Sequence, residues 1–367
     1  MDQARPPRPV SRAGFRIAIL CTRPLEVEAV DALLDHRWDD DDGPRYGKAE
    51  DDPNFYTLGV LGLHNVVLIH GQHVGKVHAA MAAVNCRTSF PNIKLMLVVG
   101  ICSAVPFYGP DKDEIILGDV IISEGVIQHD IGRHRAERFI RNDTLLDLLG
   151  RPNLEIRGFL AKLKTRHSRR KLLQAMARYM DVLGAQPGLA ASYPGTAQDR
   201  LFDASCRHID HEMFCEECGC QGKLVPRNRL SGEGIPLQPA VHFGLVASGD
   251  VLIESSKERD MIALEEDVIA FEMESAGVWD TFPCVVIKGA CNYADGHKSK
   301  VWERYAAATA AACTKSFLAQ WTPSSPPDPS IPVREQLGGS WRFVSYSSED
   351  GSLSWTTLLD KLQPSSN

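Results

Sequence analysis

The sequence predicts an α/β fold: a single three-layer domain whose central mixed, mostly parallel sheet is flanked by helices. Three observations lead there. Apolar runs such as Phe15 to Leu20 (FRIAIL), Ile93 to Val99 (IKLMLVV) and Pro283 to Gly289 (PCVVIKG) read as strands buried on both faces. Segments with helical spacing of apolar residues alternate with such runs from residue 15 to residue 321. From Thr322 the composition turns to Pro and Ser (TPSSPPDPSIP), so 322–367 reads as a linker and C-terminal tail, too short for a second core. Residues 1–14, Arg- and Pro-rich, read as a disordered leader.

Taken in order, the first strand opens into a helix with Pro24 at its start and Leu25, Val27, Val30 and Leu33 along it. Glu26 lies in its first turn, where the helix dipole favours a carboxylate and a cleft at the strand's carboxyl end is within reach. Asp39 to Asp42 and Glu50 to Asp52 lack the ligand spacing of a calcium loop and read as solvated turn. Tyr56 to Val60 and Asn65 to His70 form two strands about a Gly62 to His64 turn, followed by an Ala-rich helix from Lys76 to Arg87. The strand ending at Val99 continues into Gly100, Ile101, Cys102, Ser103 and Ala104, mostly small residues that let a ligand approach backbone amides.

After a strand in Glu114 to Ile122 comes a cationic run with Arg133, Arg135 and Arg138, either a solvated loop or a clamp for an anionic substituent. Arg157 to Leu183 reads as one amphipathic helix with a solvated basic face, and about 184–238 as an irregular insertion. Within it, Cys206, His208, Cys215 and Cys218 are candidate zinc ligands. No second C-x-x-C pair accompanies them, so structural zinc and free thiols both stay open.

His242 to Ala247 resumes as a strand ending in Ser248, Gly249 and Asp250. Val268 to Phe271 then runs into Glu272, Met273 and Glu274. Two carboxylates beside a thioether suit a sugar: the carboxylates accept hydrogen bonds from hydroxyls, and the Met supplies a polarisable floor. A last strand leads to Asn292 and Asp295, and a last helix spans Trp302 to Trp321.

The formal net charge of −7 gives no footprint for nucleic acid or an anionic membrane, and no run approaches a membrane span. Ten scattered cysteines fit a reducing compartment, so cytoplasmic residence is the default expectation.

The motifs LEVEAV, HNVVL, IKLMLVVGICSAVP, LGDVIIS, ASGD, AFEMESAGVWD and VIKGACNYADGHK occur in that order from Phe15 to Trp321. Together they resemble the nucleoside phosphorylase and nucleosidase superfamily, and most closely its fungal branch, often found at the front of immune-receptor-like proteins. The resemblance implies a nucleoside phosphorylase-like domain that cleaves N-glycosidic bonds. It implies that Met273 and Glu274 contact ribose, with Glu272 shaping the sugar pocket. Gly100 to Ala104 would form a wall near sugar and base, and Ser248 to Asp250 a loop near the base. Glu26 would activate water, no cofactor would be required, and subunits would pair as homodimers or higher oligomers. Arg133 is the expected substrate contact where the cationic run acts as a clamp.

The family's acidic residue that protonates the leaving purine falls at Asn292, which donates a hydrogen bond but transfers no proton. Three readings follow: Asn292 as an electrostatic donor, Asp295 taking over, or an inactivating substitution that traps substrate. The last is preferred because the rest of the pocket is intact. Phosphorolytic relatives carry an Arg and a Ser where this chain has Val98 and Ile101, so hydrolysis is expected over phosphorolysis. The expected function is hydrolysis of purine nucleosides, or of nucleotides such as ATP; the alternatives are a phosphorylase or a non-catalytic sensing module.

Overall fold

Nine strands among the described residues form one sheet: β1 (Ile17–Cys21), β2 (His36–Arg37), β3 (Phe55–Leu61), β4 (His64–His70), β5 (Leu95–Ala104), β6 (Val120–Gln128), β7 (Val241–Ser248), β8 (Val268–Glu272) and β9 (Cys284–Asn292). Their spatial order is β8-β7-β6-β9-β5-β1-β4-β3-β2. The structure, a computed structural model, describes residues 5–136, 139–142, 149–206, 208, 223–231, 238–297, 299–322 and the strands 333–337, 340–346 and 353–356. It divides into two units, Met1–Trp321 and Thr322–Asn367.

As the sequence predicts, the sheet is mixed. Parallel pairing joins β1 to β4 and β5, β5 to β9, and β7 to β6 and β8. Antiparallel pairing joins β9 to β6 and β3 to β2 and β4. β8 also pairs antiparallel with β5, Ala270 opposite Ala104 and Phe271 opposite Ser103, so the sheet curls back on itself.

The helices are α1 (Pro24–Asp31), α2 (Lys76–Ser89), α3 (Leu154–Lys164), α4 (Arg166–Gly184), α5 (Ser256–Glu266), α6 (Ser275–Val278) and α7 (Glu303–Leu318). The period-2 alternation of β1 explains the layers. Ile17, Ile19 and Cys21 share a core with Leu95, Leu97 and buried residues of α1, α3, α4 and α7. Ala18 and Leu20 face the opposite side, with Met96, Val98, and Ala79 and Ala83 of α2.

Two elements differ from expectation. The single helix over Arg157 to Leu183 is broken at Thr165, whose backbone is extended (φ −64°, ψ 144°) and whose hydroxyl donates to the Lys162 carbonyl at 2.8 Å. That local bond offers the chain an alternative to continuing the helix. The sequence reading also missed α5. Its signal was Ser255-x-x-Glu258, and Ser255 Oγ does accept from the Glu258 amide at its start. Among the described residues, the insertion holds short 3₁₀ turns at Pro187–Leu189 and Thr196–Gln198 and a bridge between Phe202 and Leu224.

In the second unit, where a linker and tail were expected, Val333–Leu337, Ser340–Tyr346 and Leu353–Thr356 pair as an antiparallel meander.

Candidate active site

Glu26 sits at the third position of α1, and its carboxylate turns back into the protein, 2% exposed. Oε2 accepts from the amides of Thr22 and Arg23, each at 3.0 Å, and Oε1 from the amide of Ile101 at 3.0 Å. Capping α1 and reaching β5 are thus one arrangement. Burial pushes the Glu26 carboxyl above its ordinary range, partly offset by the Lys288 charge. A carboxylate so held is a stronger base than a solvated one.

Gly100 makes the approach possible: a Cβ there would lie 2.1 Å from Glu26 Oε1. Gly100→Ala is therefore expected to displace Glu26 and cost about 1–3 kcal/mol of stability. Thermal unfolding would measure the loss.

The second carboxylate group lies where β8 passes into α6. Glu274 (3% exposed) accepts from Thr22 Oγ1 at 3.2 Å through one oxygen and from Lys288 Nζ at 2.8 Å through the other. Thr22 Oγ1 lies 3.4 Å from Glu26 Oε2, so this hydroxyl bridges the two carboxylates. Burial would raise the Glu274 carboxyl, but Lys288 outweighs it and holds Glu274 below its ordinary range. Glu272 instead accepts from the Ser275 amide at 3.1 Å and the Ser275 hydroxyl at 2.5 Å. It caps α6 and lies 3.9 Å from Lys288 Nζ, and burial raises its carboxyl. Met273, between them, is half-buried.

Sequence reasoning missed Thr22 and Lys288. For Lys288 the signal was present: one cation in the otherwise apolar run of β9. Its ammonium, 2% exposed, is held charged by Glu274, Glu26 and Glu272 against the opposing effect of burial.

At the other end, register places Asn292 beside Ser103, which in turn faces Phe271. Asn292 Oδ1 accepts from the Ala294 amide at 3.0 Å, and its amide nitrogen donates to Cys291 Sγ at 3.3 Å. The insertion grips this turn. Tyr293 OH donates to Asp199 Oδ1 at 2.7 Å and accepts from Arg227 Nη1 at 2.9 Å, while Arg259 Nη1 donates to the Tyr293 carbonyl at 2.8 Å. These partners, too, were not foreseen.

Other expected site residues lie differently. Ser248 is fully buried and accepts from the Ala276 amide, so it supports α6. The Asp250 carboxylate caps α2 by accepting from the Lys76 amide at 2.8 Å, and Lys76 Nζ pairs with Asp130. Arg133 is exposed on a hairpin of Gly132–His134 with Phe139–Arg141, Arg135 is exposed just beyond, and Arg138 lies outside the described residues. Asp295 lines a cavity of about 260 Å³ with Cys206 and His208. Cys215 and Cys218 lie outside the described residues; among those described, no group of three or more His, Cys, Asp or Glu is arranged to hold a metal ion. No helix among them is long and apolar enough to cross a membrane.

Two carboxylates, one held ionised by a buried lysine and one raised in basicity, converge at the end of a curled mixed sheet. The Phosphorylase superfamily model matches residues 16–319, and the chain belongs to that family. It is 34% identical over 317 residues to a nucleotide-binding leucine-rich repeat (NLR)-like protein of Hyaloscypha variabilis, covering 85% of this chain. The chain spans only 30% of that relative's length. Among solved structures it is similar in fold to the 5'-methylthioadenosine/S-adenosyl homocysteine nucleosidase of Helicobacter pylori (TM-score 0.52, 15% identity, 84% of this chain and 100% of that one). An aspartate-to-asparagine variant of the Helicobacter pylori enzyme, with 5'-methylthioadenosine in its active site, gives a TM-score of 0.51 at 16% identity, over 84% of this chain and 100% of that one.

Proposed function

We propose that this chain is a purine nucleosidase: it hydrolyses the N-glycosidic bond of purine nucleosides, and of nucleotides such as ATP, to free base and ribose or ribose phosphate. The observation that carries this is the Glu26–Thr22–Glu274 bridge with Lys288 behind it. Glu274, held ionised, accepts the 2′ and 3′ hydroxyls and stabilises positive charge developing on the sugar. Glu26, with raised basicity, takes a proton from water as its oxygen bonds to C1′. The C1′–N9 bond breaks, its electron pair leaves with the base, and the Asn292 amide donates a hydrogen bond to N7. The departing base takes its proton from solvent.

Water is favoured over phosphate by what surrounds Glu26. Ile101 lends it only a backbone amide, Val98 is buried in the core, and the nearby Arg23 is paired with Glu303 at 3.0 Å. The test is base release from adenosine, inosine, guanosine and ATP, with and without phosphate. Release without phosphate is expected; release only with phosphate would overturn hydrolysis in favour of phosphorolysis. Asn292 keeps a second reading, a sensing module that binds without turnover, and binding with no release from any substrate would favour it.

Subunit pairing is part of this proposal. Val77, Met81 and Val84 follow helical spacing along one side of α2 and are 64%, 56% and 53% exposed, and Val74, just before the helix, is 40% exposed, together an apolar stripe suited to a second copy. Met81→Glu is expected to shift the chain to monomer in sedimentation analysis.

A further inference from the structure

Asp295 is 6% exposed, and its Oδ2 is buried with no hydrogen-bond partner among the described residues, whereas Oδ1 accepts from the His297 amide at 3.1 Å. An unsatisfied buried acceptor costs about 1–3 kcal/mol, so the residue is explained best by something that completes it. The cavity it lines, about 260 Å³, is walled by Ala204, Cys206 and His208 from the insertion, by Glu254 and Ser255 just before α5, and by Ser256 and Lys257 in its first turn. One wall continues from the turn that carries Asn292: Asp295 lies three residues further along the chain. The volume lies below the roughly 300–1,000 Å³ of pockets for drug-sized ligands, so it suits one ring system rather than a whole nucleotide.

We propose that this cavity seats the purine base and that Asp295 is its specificity residue, accepting through Oδ2 a hydrogen bond from an N–H on the six-membered ring edge. The inference rests on the nucleosidase reading only for the orientation of the base. A built acceptor discriminates strongly, because a ligand lacking the donor leaves the carboxylate buried and unpaired. Burial pushes the Asp295 carboxyl up to about 6, with the His297 amide, Arg259 and His208 pulling the other way. Glu254, Lys257 and Cys206 are the other titratable groups of the cavity wall, and His297 lies in the same turn. Above that pH Oδ2 accepts; below it the group is protonated and donates.

The test is equilibrium binding of free bases to the full chain by calorimetry. Adenine, hypoxanthine and guanine carry ring-edge N–H donors, and unsubstituted purine has none on that edge. At pH 8 the three are expected to bind about ten- to a hundredfold more tightly than purine, in line with a hydrogen bond to a charged group. Asp295→Asn should erase that gap. Its amide oxygen must take over acceptance from His297 N–H, which turns the NH₂ into the cavity. The unmodified chain gives an arm independent of any folding defect: the gap should shrink between pH 8 and pH 5.

Equal binding of purine and hypoxanthine at pH 8, or a gap unchanged in Asp295→Asn, would overturn the proposal. Discrimination without turnover of any nucleoside would fail the nucleosidase reading while leaving this one standing. Turnover with a gap indifferent to Asp295 would do the reverse.

Discussion

Asn292→Asp is expected to raise kcat for purine release by about 10²- to 10⁴-fold, the usual contribution of a positioned general acid. The backbone is ready for the exchange. Asn292 Oδ1 accepts from the Ala294 amide, a bond an aspartate oxygen makes equally well, which leaves the second oxygen where the amide nitrogen now stands. Tyr293, fixed by Asp199, Arg227 and Arg259, prevents the turn from relaxing. The gain should appear in kcat with KM changed far less, because asparagine already supplies the hydrogen bond and lacks only the proton. Steady-state kinetics on adenosine and inosine would measure it. Unchanged kcat in a folded variant with unchanged affinity would sink the role given to position 292.

Lys288→Met is expected to cost about 3–5 kcal/mol, the range for removing one partner of a buried ion pair. The lysine lies 2.8 Å from Glu274 and 3.9 Å from Glu272, and both carboxylates are buried. Without it the Glu274 carboxyl passes from a lowered to a raised state, and the sign of its pH dependence reverses. In the native chain the depressed Glu274 carboxyl contributes stability above its unfolded pKa, lost as pH falls through the folded value. In the variant a raised carboxyl favours folding below the unfolded pKa and loses that contribution as pH climbs through the folded value. The deficit against the native chain should therefore be larger at pH 8 than at pH 5, as urea denaturation at the two values would reveal. A deficit independent of pH would mean that lost packing, not charge, dominates.

The fold was legible in the sequence because its strands are continuous apolar runs and its binding turns follow them directly. Glu26 and Glu274 could be singled out from where they fall against those strands. Their partnership could not. The Thr22 hydroxyl reaches across 252 positions to Glu274, and Lys288 joins from a strand three places from β8 in the main order. The insertion posed the same difficulty: irregular and without periodicity, it concealed the grip of Asp199 and Arg227 on Tyr293. Asp250 shows a local contact the motif did not reveal. Its carboxylate caps α2 by accepting from an orphan amide at the helix start, 174 positions back in the chain.

The curl of the sheet bears on how the carboxylates of Glu272 and Glu274 behave over time. β8 is bonded to β7 on one side and to β5 on the other, so this short strand has no free edge to fray from. Amides in such a position exchange with solvent only when much of the domain opens. Glu272 and Glu274 stand at the end of that doubly held strand, so their geometry is established when the chain folds rather than when a ligand arrives. A substrate entering the site then loses little of its binding energy to ordering the protein.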